Sequence, residues 1–388
     1  MVTIKNKNIT EFIVREIENK QIVWFKNSNR YVQMEKPAFT VFDKLQMGES
    51  FDSIVKFLYS NYELPAIEGK KFIKEIQEIL DNEIYNSKTL ITKKDHGQKI
   101  TLPEKFYSEI TYHFVNNSFL LKYETAQIEQ MIHPLFAHLE TTNRQSPNHQ
   151  IQLFFNNKYL NLVSDNILIG QWKKDDDHFF RGKVFMELLN KAYSKKEDDW
   201  MSVLHASAVG NGEKCFLIAG ESGSGKSTLS AILMANGFNV IADDFVPIEA
   251  SSSKVMQFPA AISIKKQAFE MISSMYPELL KAKEFYYEKL NKTVRYLVDN
   301  NANKSISSGL DIKAIVFVKY LENSGMQLNK MSKNEAFRRL VPDSWVSPLA
   351  ENAERFLDWF ASIPCFELTY SDNDKVVTSL KSLIYDEL

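Results

Sequence analysis

The sequence predicts an α/β fold in three parts: a small N-terminal region, a mixed α/β region and a larger α/β core. The first supporting observation is an apolar run that leads directly into the glycine-rich pattern G-x-x-x-x-G-K-[ST] at residues 220–227. The second is the alternation of strand-like and helix-like runs over residues 104–388, and the third is a hairpin followed by three short helices over residues 21–80. A length of 388 residues is enough for two or three domains, each with its own core.

Composition and charge exclude several classes of protein. The chain is 44% hydrophobic and 25% charged, which is typical of a globular protein, and its formal net charge is −2, so no global basic field exists to hold nucleic acid or an anionic membrane. The two cysteines, Cys215 and Cys365, lie in apolar strand-like runs and can form neither a disulfide framework nor a zinc site. The N-terminal residues lack the apolar stretch of a signal peptide, and no run approaches the ~18 apolar residues of a membrane span. We therefore expect a cytoplasmic protein without a membrane partner.

The N-terminal region begins with a hairpin signal over residues 21–34. Two short strand-like runs, IVWF and RYVQM, flank polar turn residues at 27–29. A helix is predicted between Pro37 and Gly48, because proline suits a first helical position and glycine a helix end. Apolar residues at helical spacing predict a second helix around residues 51–58 and a third over residues 66–80.

A hairpin with three short helices is the outline of a winged helix, a fold that usually binds DNA. Over residues 11–90, however, 11 Lys and Arg face 13 Asp and Glu, a net charge of 11 − 13 = −2. DNA binding draws its affinity from neutralising phosphates, so we expect no DNA partner for this region. A scaffold or dimerisation domain, and with it a homo-oligomer, stays open as an alternative.

The middle of the chain is predicted to be a linker followed by a mixed α/β subdomain. Residues 91–103 are polar, contain Gly97 and end at Pro103, which favours a linker. Four strand-like runs and one helical run then follow as far as about residue 198: ITYHFV, FLLKYE, IQLFFN and NILIG, and the helical FRGKVFMELLNKAY. The acidic run at residues 175–177 is interpreted as a solvated turn, and the histidines of the chain show no i, i+4 metal spacing. The predicted domain bounds are therefore 1–90, 91–103, 104–198 and 199–388.

The glycine-rich pattern has the context that its chemistry requires. An apolar strand precedes it, and a helix that ends at Gly237 follows it. Gly220, Gly223 and Gly225 leave room for backbone N–H groups to converge on a phosphate at the start of that helix. Lys226 can then reach the β and γ phosphates, and the neighbouring hydroxyl of residue 227 can ligate Mg²⁺.

Two carboxylates and one histidine are the other candidates for chemistry. Asp243 and Asp244 end the next apolar strand, where carboxylates can hold a cation and accept a hydroxyl proton. Adjacent strand residues point to opposite faces, so one of the two can be structural, and their spacing does not rank them. His205 precedes a short hairpin that would bring it alongside the phosphate-loop strand, although a lone histidine in an apolar run is usually a core residue.

The C-terminal third continues the α/β alternation. A buried strand is predicted over residues 312–320, a helix capped by Ser332 ends near Leu340, and another helix spans about residues 352–363. The run CFELTY predicts the last strand, and apolar residues at helical spacing predict a helix that closes the chain.

The N-terminal region resembles the PqqD-like peptide-recognition domains that accompany ribosomal-peptide tailoring enzymes. The resemblance rests on the hairpin IVWFKNSNRYVQM, the helical run PAFTVFDKLQMGESFDSIVKFL and the closing helix GKKFIKEIQEIL, in this order and spacing. It implies binding of an extended leader peptide by addition of a strand, and hence a peptide or protein substrate as partner.

The region from about Met201 to Leu388 resembles the catalytic domain of HPr kinase/phosphorylase and its relatives. The shared order is H-A-x-A-V, a strand, GESGSGKST, a helix, a strand, A-D-D and then F-P-x-x-I-S-I-K. The resemblance implies a P-loop core of the HPr kinase/phosphoenolpyruvate carboxykinase type, an ATP- and Mg²⁺-dependent kinase, and a peptide or protein serine as acceptor. The residues that it assigns to the triphosphate are Gly220, Glu221, Ser222, Gly223, Ser224, Gly225, Lys226, Ser227 and Thr228.

The same resemblance implies roles for the remaining candidates. Either Asp243 or Asp244 would act as the base, with the other near Mg²⁺; we assign Asp244 to the metal together with Ser227. His205 would lie close to the transferred phosphate. Arg295, in the block VRYL, would lie near the phosphates and suit transition-state charge, with a surface position as the alternative.

The sequence also departs from the family in the stretch from Asp299 to Gly309. HPr kinase/phosphorylase carries a Glu-x-Arg-Gly element there, tied to phosphorolysis and to HPr, and this chain has a polar run without that pattern. We therefore expect a kinase that neither catalyses phosphorolysis nor acts on HPr. A small-molecule kinase and a nucleotide-binding switch without phosphoryl transfer are the alternatives.

Overall fold

The structure is a computed structural model that describes residues 12–85, 101–142, 146–156, 159–299 and 309–385. It is an α/β protein with parallel and antiparallel sheets, as predicted. The chain forms two compact units. The first contains residues 1–91, 332–338 and 346–362, and the second contains residues 92–331, 339–345 and 363–388. No helix among the described residues combines the length and the apolar character needed to cross a membrane.

The elements follow one another in four stretches. The first stretch contains β1 (Phe12–Ile17), β2 (Lys20–Phe25), β3 (Arg30–Glu35), α1 (Lys36–Gln46), α2 (Phe51–Tyr62), α3 (Ala66–Leu80) and a π-helical turn (Asp81–Tyr85). The second contains β4 (Ser108–Phe114), β5 (Asn117–Tyr123), α4 (Ala126–Phe136), β6 (His149–Asn156), β7 (Tyr159–Ser164), β8 (Ile167–Lys173) and α5 (Asp177–Ala192). The third contains β9 (Trp200–Leu204), β10 (Ser207–Gly210), β11 (Lys214–Ala219), α6 (Lys226–Ala235), β12 (Asn239–Asp243), β13 (Val246–Glu249), β14 (Ile262–Lys265), α7 (Phe269–Met275), β15 (Phe285–Tyr287) and β16 (Lys292–Leu297). The fourth contains β17 (Asp311–Tyr320), β18 (Met326–Lys330), α8 (Lys333–Leu340), β19 (Trp345–Val346), α9 (Ala350–Ser362), β20 (Cys365–Tyr370) and α10 (Asn373–Ile384).

The first unit contains the predicted hairpin and its three helices. The predicted starts are correct: the Ser50 hydroxyl accepts a hydrogen bond from the backbone N–H of Ser53 at the start of α2, and Pro65 directly precedes α3. Strand β1 was not predicted; it pairs antiparallel with β2 and extends the hairpin to three strands. The charged pair Arg15 and Glu16 breaks the apolar alternation of β1, which removed the usual strand signal.

Both faces of this three-stranded sheet are covered. On one face, Val23 and Phe25 belong to a buried core shared with α1, α2 and α3. On the other face, Ile22 and Trp24 are fully buried, and the Tyr31 ring, which is paired across the strands with Trp24, lies 5.7 Å from the ring of Phe337 in α8. Helix α9 contributes the ring of Phe356 at 5.8 Å from Tyr31, together with Glu354 and Asp358, whose carboxylates both bind the Arg15 guanidinium at 2.6 Å.

This arrangement bears on the predicted domain bounds. Helices α8 and α9 lie far along the chain, within the predicted core of residues 199–388, yet they complete the first unit. The predicted linker falls mostly on residues 91–100, which lie outside the described residues. The predicted domain bounds therefore stay a prediction. The first unit is built from three separate segments of the chain.

We expect a fragment of residues 1–95 not to fold stably by itself. It would expose Ile22, Trp24 and Tyr31, and each large apolar side chain left in water costs about 1.5–3 kcal/mol, a total comparable with the whole stability of a small domain. The measurement is thermal unfolding by circular dichroism, with the full-length chain as the control. A cooperative transition of the isolated fragment at the melting temperature of the full chain would show that α8 and α9 are dispensable.

The second unit is organised by a six-stranded sheet in the order β12-β10-β11-β17-β20-β18. Strands β11, β17 and β20 are parallel, whereas β10 runs antiparallel between β11 and β12. Helices α6 and α10 bury Leu229, Leu233 and Leu380 in the core that this sheet shares. The carboxyl ends of β11 and β12 therefore lie close together, with only β10 between them.

The second unit also contains smaller sheets. Strands β14, β16 and β15 form one of them, and β9 pairs with β13 in another. The mixed region forms a five-stranded sheet in the order β4-β5-β6-β7-β8, packed against α5. Strands β4, β5, β6 and β8 and helix α5 agree with the predicted runs, whereas β7 and α4 were not predicted. The acidic run at residues 175–177 is a 3₁₀ turn leading into α5, where Asp177 binds Lys289 at 3.0 Å.

Candidate active site

The glycine-rich loop lies between β11 and α6, in the predicted strand–loop–helix context. Gly220, Gly223 and Gly225 have φ angles of +145°, +92° and +104°, which side-chain-bearing residues rarely adopt. A Cβ atom at Gly220 would lie 2.7 Å from the Ser224 hydroxyl and 2.9 Å from the carbonyl oxygen of Val318. The loop conformation therefore requires glycine, and Gly225 is the N-cap of α6, where the free N–H groups of the first helical turn favour an anion.

The loop has the space and the donors for a triphosphate. A Cβ atom at Gly223 would meet only one group, the Lys265 ammonium at 3.9 Å, so the loop tip is open beside a positive charge. The buried Ser224 hydroxyl has no hydrogen-bond partner among the described residues. Glu221 and Ser222 are exposed at the tip, and Thr228 lies in the first turn of α6. These donors and this open cradle fit phosphate oxygens.

Lys226 is the buried cation of the loop. Its side chain folds back so that the ammonium donates to the carbonyl oxygen of Gly220 at 2.7 Å and more distantly to that of Glu221 at 3.4 Å. Burial lowers the pKa of this ammonium, and the charges of Asp244 and Asp243 oppose that effect. The Lys226 ammonium is therefore bound by the loop carbonyl groups and attracted by the charges of the carboxylate pair.

Asp243 lies at the end of β12, 4% exposed, and faces the start of α6. Its carboxylate accepts hydrogen bonds from the Ser227 hydroxyl at 3.0 Å and from the Ser207 hydroxyl, which is brought opposite by the pairing of β10 with β12. Burial raises the pKa of Asp243 to about 6, and the neighbouring charge of Asp244 adds to the rise. Our assignment of Ser227 and Asp244 to the metal differs from this geometry, because the structure joins Ser227 to Asp243.

Asp244 differs from Asp243 in backbone conformation and in surroundings. Its φ angle is +67°, and its backbone N–H donates to the carbonyl oxygen of Ala206 at 2.9 Å. The side chain is 48% exposed, and one carboxylate oxygen lies 3.2 Å from Nδ1 of His205. The pair thus consists of one enclosed carboxylate beside Ser227 and one open carboxylate beside a histidine.

His205 lies in the tight turn between β9 and β10, next to the carboxylate pair. Strand β10 forms the predicted hairpin with β11, and the His205 backbone N–H donates to the Ser344 hydroxyl at 3.4 Å. The structure therefore brings His205, Lys226, Ser227, Asp243 and Asp244 together at one edge of the six-stranded sheet.

Arg295 is engaged away from this cluster. Its guanidinium donates to the Leu279 carbonyl oxygen at 2.9 Å, binds Glu284 at 2.6 Å and lies 4.5 Å from the centre of the Phe269 ring. On β16 it is paired with Ile264, a fully buried core residue, so it faces the core side of that sheet. The prediction that Arg295 lies near the phosphates is not supported by these contacts.

Three further cations, Lys265, Lys292 and Arg181, were not singled out from the sequence, and the charges of the carboxylate pair act on Lys292. The Lys265 ammonium donates to the Ser222 hydroxyl at the loop tip at 3.3 Å. Burial lowers the pKa of Lys292; the charge of Asp244 opposes this, whereas those of Arg181 and Lys265 add to it. Lys265 is the last residue of the block FPAAISIK. Lys292 is the first residue of β16, and only the strand register shows that it lies on the opposite face from Arg295. Nothing in the sequence pointed to Arg181.

A divalent cation at this site would have few protein ligands. Among the described residues, no group of three or more His, Cys, Asp or Glu side chains is placed to hold a metal ion. The Asp243 carboxylate and the Ser227 hydroxyl are the neighbouring oxygens that could do so. One or two protein oxygens, with phosphates and water as the other ligands, is the usual coordination of Mg²⁺ in phosphoryl-transfer sites.

The comparisons with known proteins give little beyond this geometry. No protein-family model matches the chain, and no curated protein matches it. Among solved structures, the chain is similar to the Hpr(Ser) kinase/phosphatase from Coxiella burnetii at 10% sequence identity, over 47% of this chain and 93% of that chain. The TM-score is 0.22, so this likeness carries no argument about the fold or the chemistry of the chain.

We expect Asp243→Asn to raise the melting temperature at pH 8. A carboxyl whose pKa is higher in the folded than in the unfolded protein costs stability as the pH rises between about 4 and 6, and the full cost persists above that range. A shift of about two units corresponds to about 3 kcal/mol at pH 8, and the advantage of the variant should disappear below about pH 4.

The matched control for this prediction is Asp165→Asn. Burial opposes ionisation of Asp165, but the hydrogen bonds from Lys191, the Gln150 backbone and His149 together lower its pKa, so this variant should lose stability at neutral pH. Thermal unfolding of both variants from pH 4 to 8 is the measurement. If Asp243→Asn were less stable than the wild-type protein at pH 8, the raised pKa of the Asp243 carboxyl would be contradicted.

Proposed function

We propose that the chain is an ATP-dependent kinase that transfers the γ-phosphate to a hydroxyl group. The observation that carries the proposal is that the two carboxylates beside the phosphate loop differ in burial and in bonding partners. Asp243 is enclosed and bonded to the Ser227 hydroxyl, whereas Asp244 is open and paired with His205. Phosphoryl transfer requires one group that positions a metal and one that accepts the proton of the acceptor.

Each residue of the site then has one role in phosphoryl transfer. The backbone of Gly220–Gly225 and the Lys226 ammonium hold the phosphates, while Ser227 and Asp243 supply ligands for Mg²⁺. Bound Mg²⁺ supplies positive charge that neutralises the phosphate oxygens. Asp244 accepts the proton of the acceptor hydroxyl. At the same time the hydroxyl oxygen bonds to the γ-phosphorus, and the bond between that phosphorus and the β,γ-bridging oxygen breaks, so that ADP is released. His205 holds the Asp244 carboxylate towards the open side of the site.

The acceptor that we propose is a serine of a peptide or protein held by the first unit. Strand β3 is an edge of the three-stranded sheet, and an edge strand offers unpaired backbone groups to an extended peptide. Tethering the substrate in this way would raise its local concentration at the phosphate loop without new contacts at the chemical site. No DNA partner is proposed, and a cytoplasmic location and a homo-oligomer stay predictions.

Product analysis tests the proposal. The full-length chain is incubated with Mg²⁺, ATP and either peptides encoded beside its gene or a mixture of hydroxyl-bearing metabolites, and the products are examined by mass spectrometry. A peptide with one added phosphoryl group on a serine supports the proposal. A phosphorylated metabolite instead would indicate a small-molecule kinase, and bound but unchanged ATP would indicate a nucleotide-binding switch.

A further inference from the structure

Two lysines lie on one face of the sheet formed by β14, β16 and β15. Lys265 is paired across the strands with Val294, and paired residues share a face. Side chains alternate along a strand, so Lys292, two residues from Val294, lies on the same face as Lys265. Arg295 and Ile264 lie on the opposite face, where Ile264 belongs to the core.

This face is directed at the phosphate loop and the carboxylate pair. The Lys265 ammonium contacts Ser222 at the loop tip, and the backbone of Ser263, two residues earlier on β14, hydrogen-bonds to the Asp243 carboxylate. The charges of Asp244 and Asp243 act on the Lys292 ammonium. This face therefore adjoins the phosphate loop at Ser222, whereas the opposite face of β14 packs with α6 in the core.

Neither Lys292 nor Arg181 forms an ion pair or hydrogen bond within the described part of the chain. Both are half-buried, and Arg181 comes from α5 of the mixed region, where its guanidinium lies 5.9 Å from the centre of the Phe185 ring. Like charges held near one another are costly unless an anion lies between them, and burial and the neighbouring cations lower the pKa of Lys292. A phosphate group is an anion that fits this setting.

We infer that Lys265 and Lys292, supported by the charge of Arg181, bind the transferred phosphoryl group. This inference rests on the proposed function and deepens it. Lys265 holds the phosphates at the loop tip, whereas Lys292, on which the charge of Asp244 acts, neutralises the γ-phosphate oxygens during transfer. Lys292 thus takes the role that the sequence analysis gave to Arg295, three residues later on the same strand.

The test compares the affinity of full-length variants for MgADP and for the Mg²⁺ complex of AMPPNP, a non-hydrolysable ATP analogue. Lys292→Met keeps the apolar stem and removes the charge, Lys292→Arg keeps the charge, and Lys266→Met removes an exposed charge next to Lys265. Calorimetry gives both dissociation constants, and thermal unfolding checks the fold of each variant.

We expect Lys292→Met to lose the preference for AMPPNP over ADP by about tenfold, with MgADP affinity kept within about twofold, because only the γ-phosphate contact is removed. Lys292→Arg and Lys266→Met should keep the preference. Turnover of Lys292→Met should fall by about a hundredfold. Equal preferences in Lys292→Met and Lys266→Met would overturn the inference and leave the proposed function intact. A wild-type chain that binds neither nucleotide would overturn both.

Discussion

Replacing Lys226 by alanine should lower phosphoryl transfer by two or more orders of magnitude while the fold is kept. The ammonium supplies a fixed positive charge where charge redistributes over the phosphate oxygens, and removal of one preorganised charge costs about 10²–10³ in rate. The variant should fold because its removal leaves only the carbonyl groups of Gly220 and Glu221 without a donor. Both carbonyl groups belong to the loop and can bind water instead.

The measurement is the initial rate of γ-phosphate transfer, with circular dichroism as the check of folding. Lys266→Ala is the matched control, because it removes the charge of an exposed lysine on the same unit. Full turnover by a folded Lys226→Ala protein would remove the basis for assigning kinase chemistry to this loop.

The second large effect should come from the carboxylate pair, where substitution of one aspartate should change kcat and substitution of the other should mainly change the Mg²⁺ requirement. Asp244→Asn should lower kcat by about 10²–10⁴, the contribution of a general base, with the affinity for MgATP unchanged. Asp243→Asn should also lower turnover, but its main effect should be a higher Mg²⁺ requirement, because the enclosed carboxylate adjoins Ser227.

A titration of activity with Mg²⁺ at saturating ATP separates the two variants. His205→Gln should show a smaller loss of kcat than Asp244→Asn, since the histidine acts only by positioning the carboxylate through the 3.2 Å contact. If both aspartate variants kept full activity, the pair would be structural and the account of the chemistry would be wrong.

The sequence predicted most of the site because its signals are local. The strand–glycine–helix pattern around Gly220–Lys226 requires only neighbouring residues, so the loop, β11 and α6 could be identified directly. The same holds for the apolar strand that ends in Asp243. Local pattern also identified the hairpin and helices of the first unit, apart from β1 with its charged pair.

The parts that the sequence did not predict depend on long-range pairing. Asp243 and Asp244 could not be ranked, because their difference comes from the positive φ angle of Asp244 and from Ser207 on a paired strand. Arg295 and Lys292 are three residues apart on β16, and only the register with β14 shows that they lie on opposite faces. Likewise, no local pattern shows that α8 and α9 cover the sheet of the first unit.

The most direct test of the central claim follows the γ-phosphate itself. The full-length chain is mixed with Mg²⁺, ATP labelled at the γ-phosphate and candidate precursor peptides, and the labelled products are separated with time. We predict that the label leaves ATP only when Mg²⁺ is present, appears on a peptide hydroxyl and stays on ATP in the Lys226→Ala protein. Tight binding of MgATP with all of the label still on ATP would contradict the account and indicate a nucleotide-binding switch.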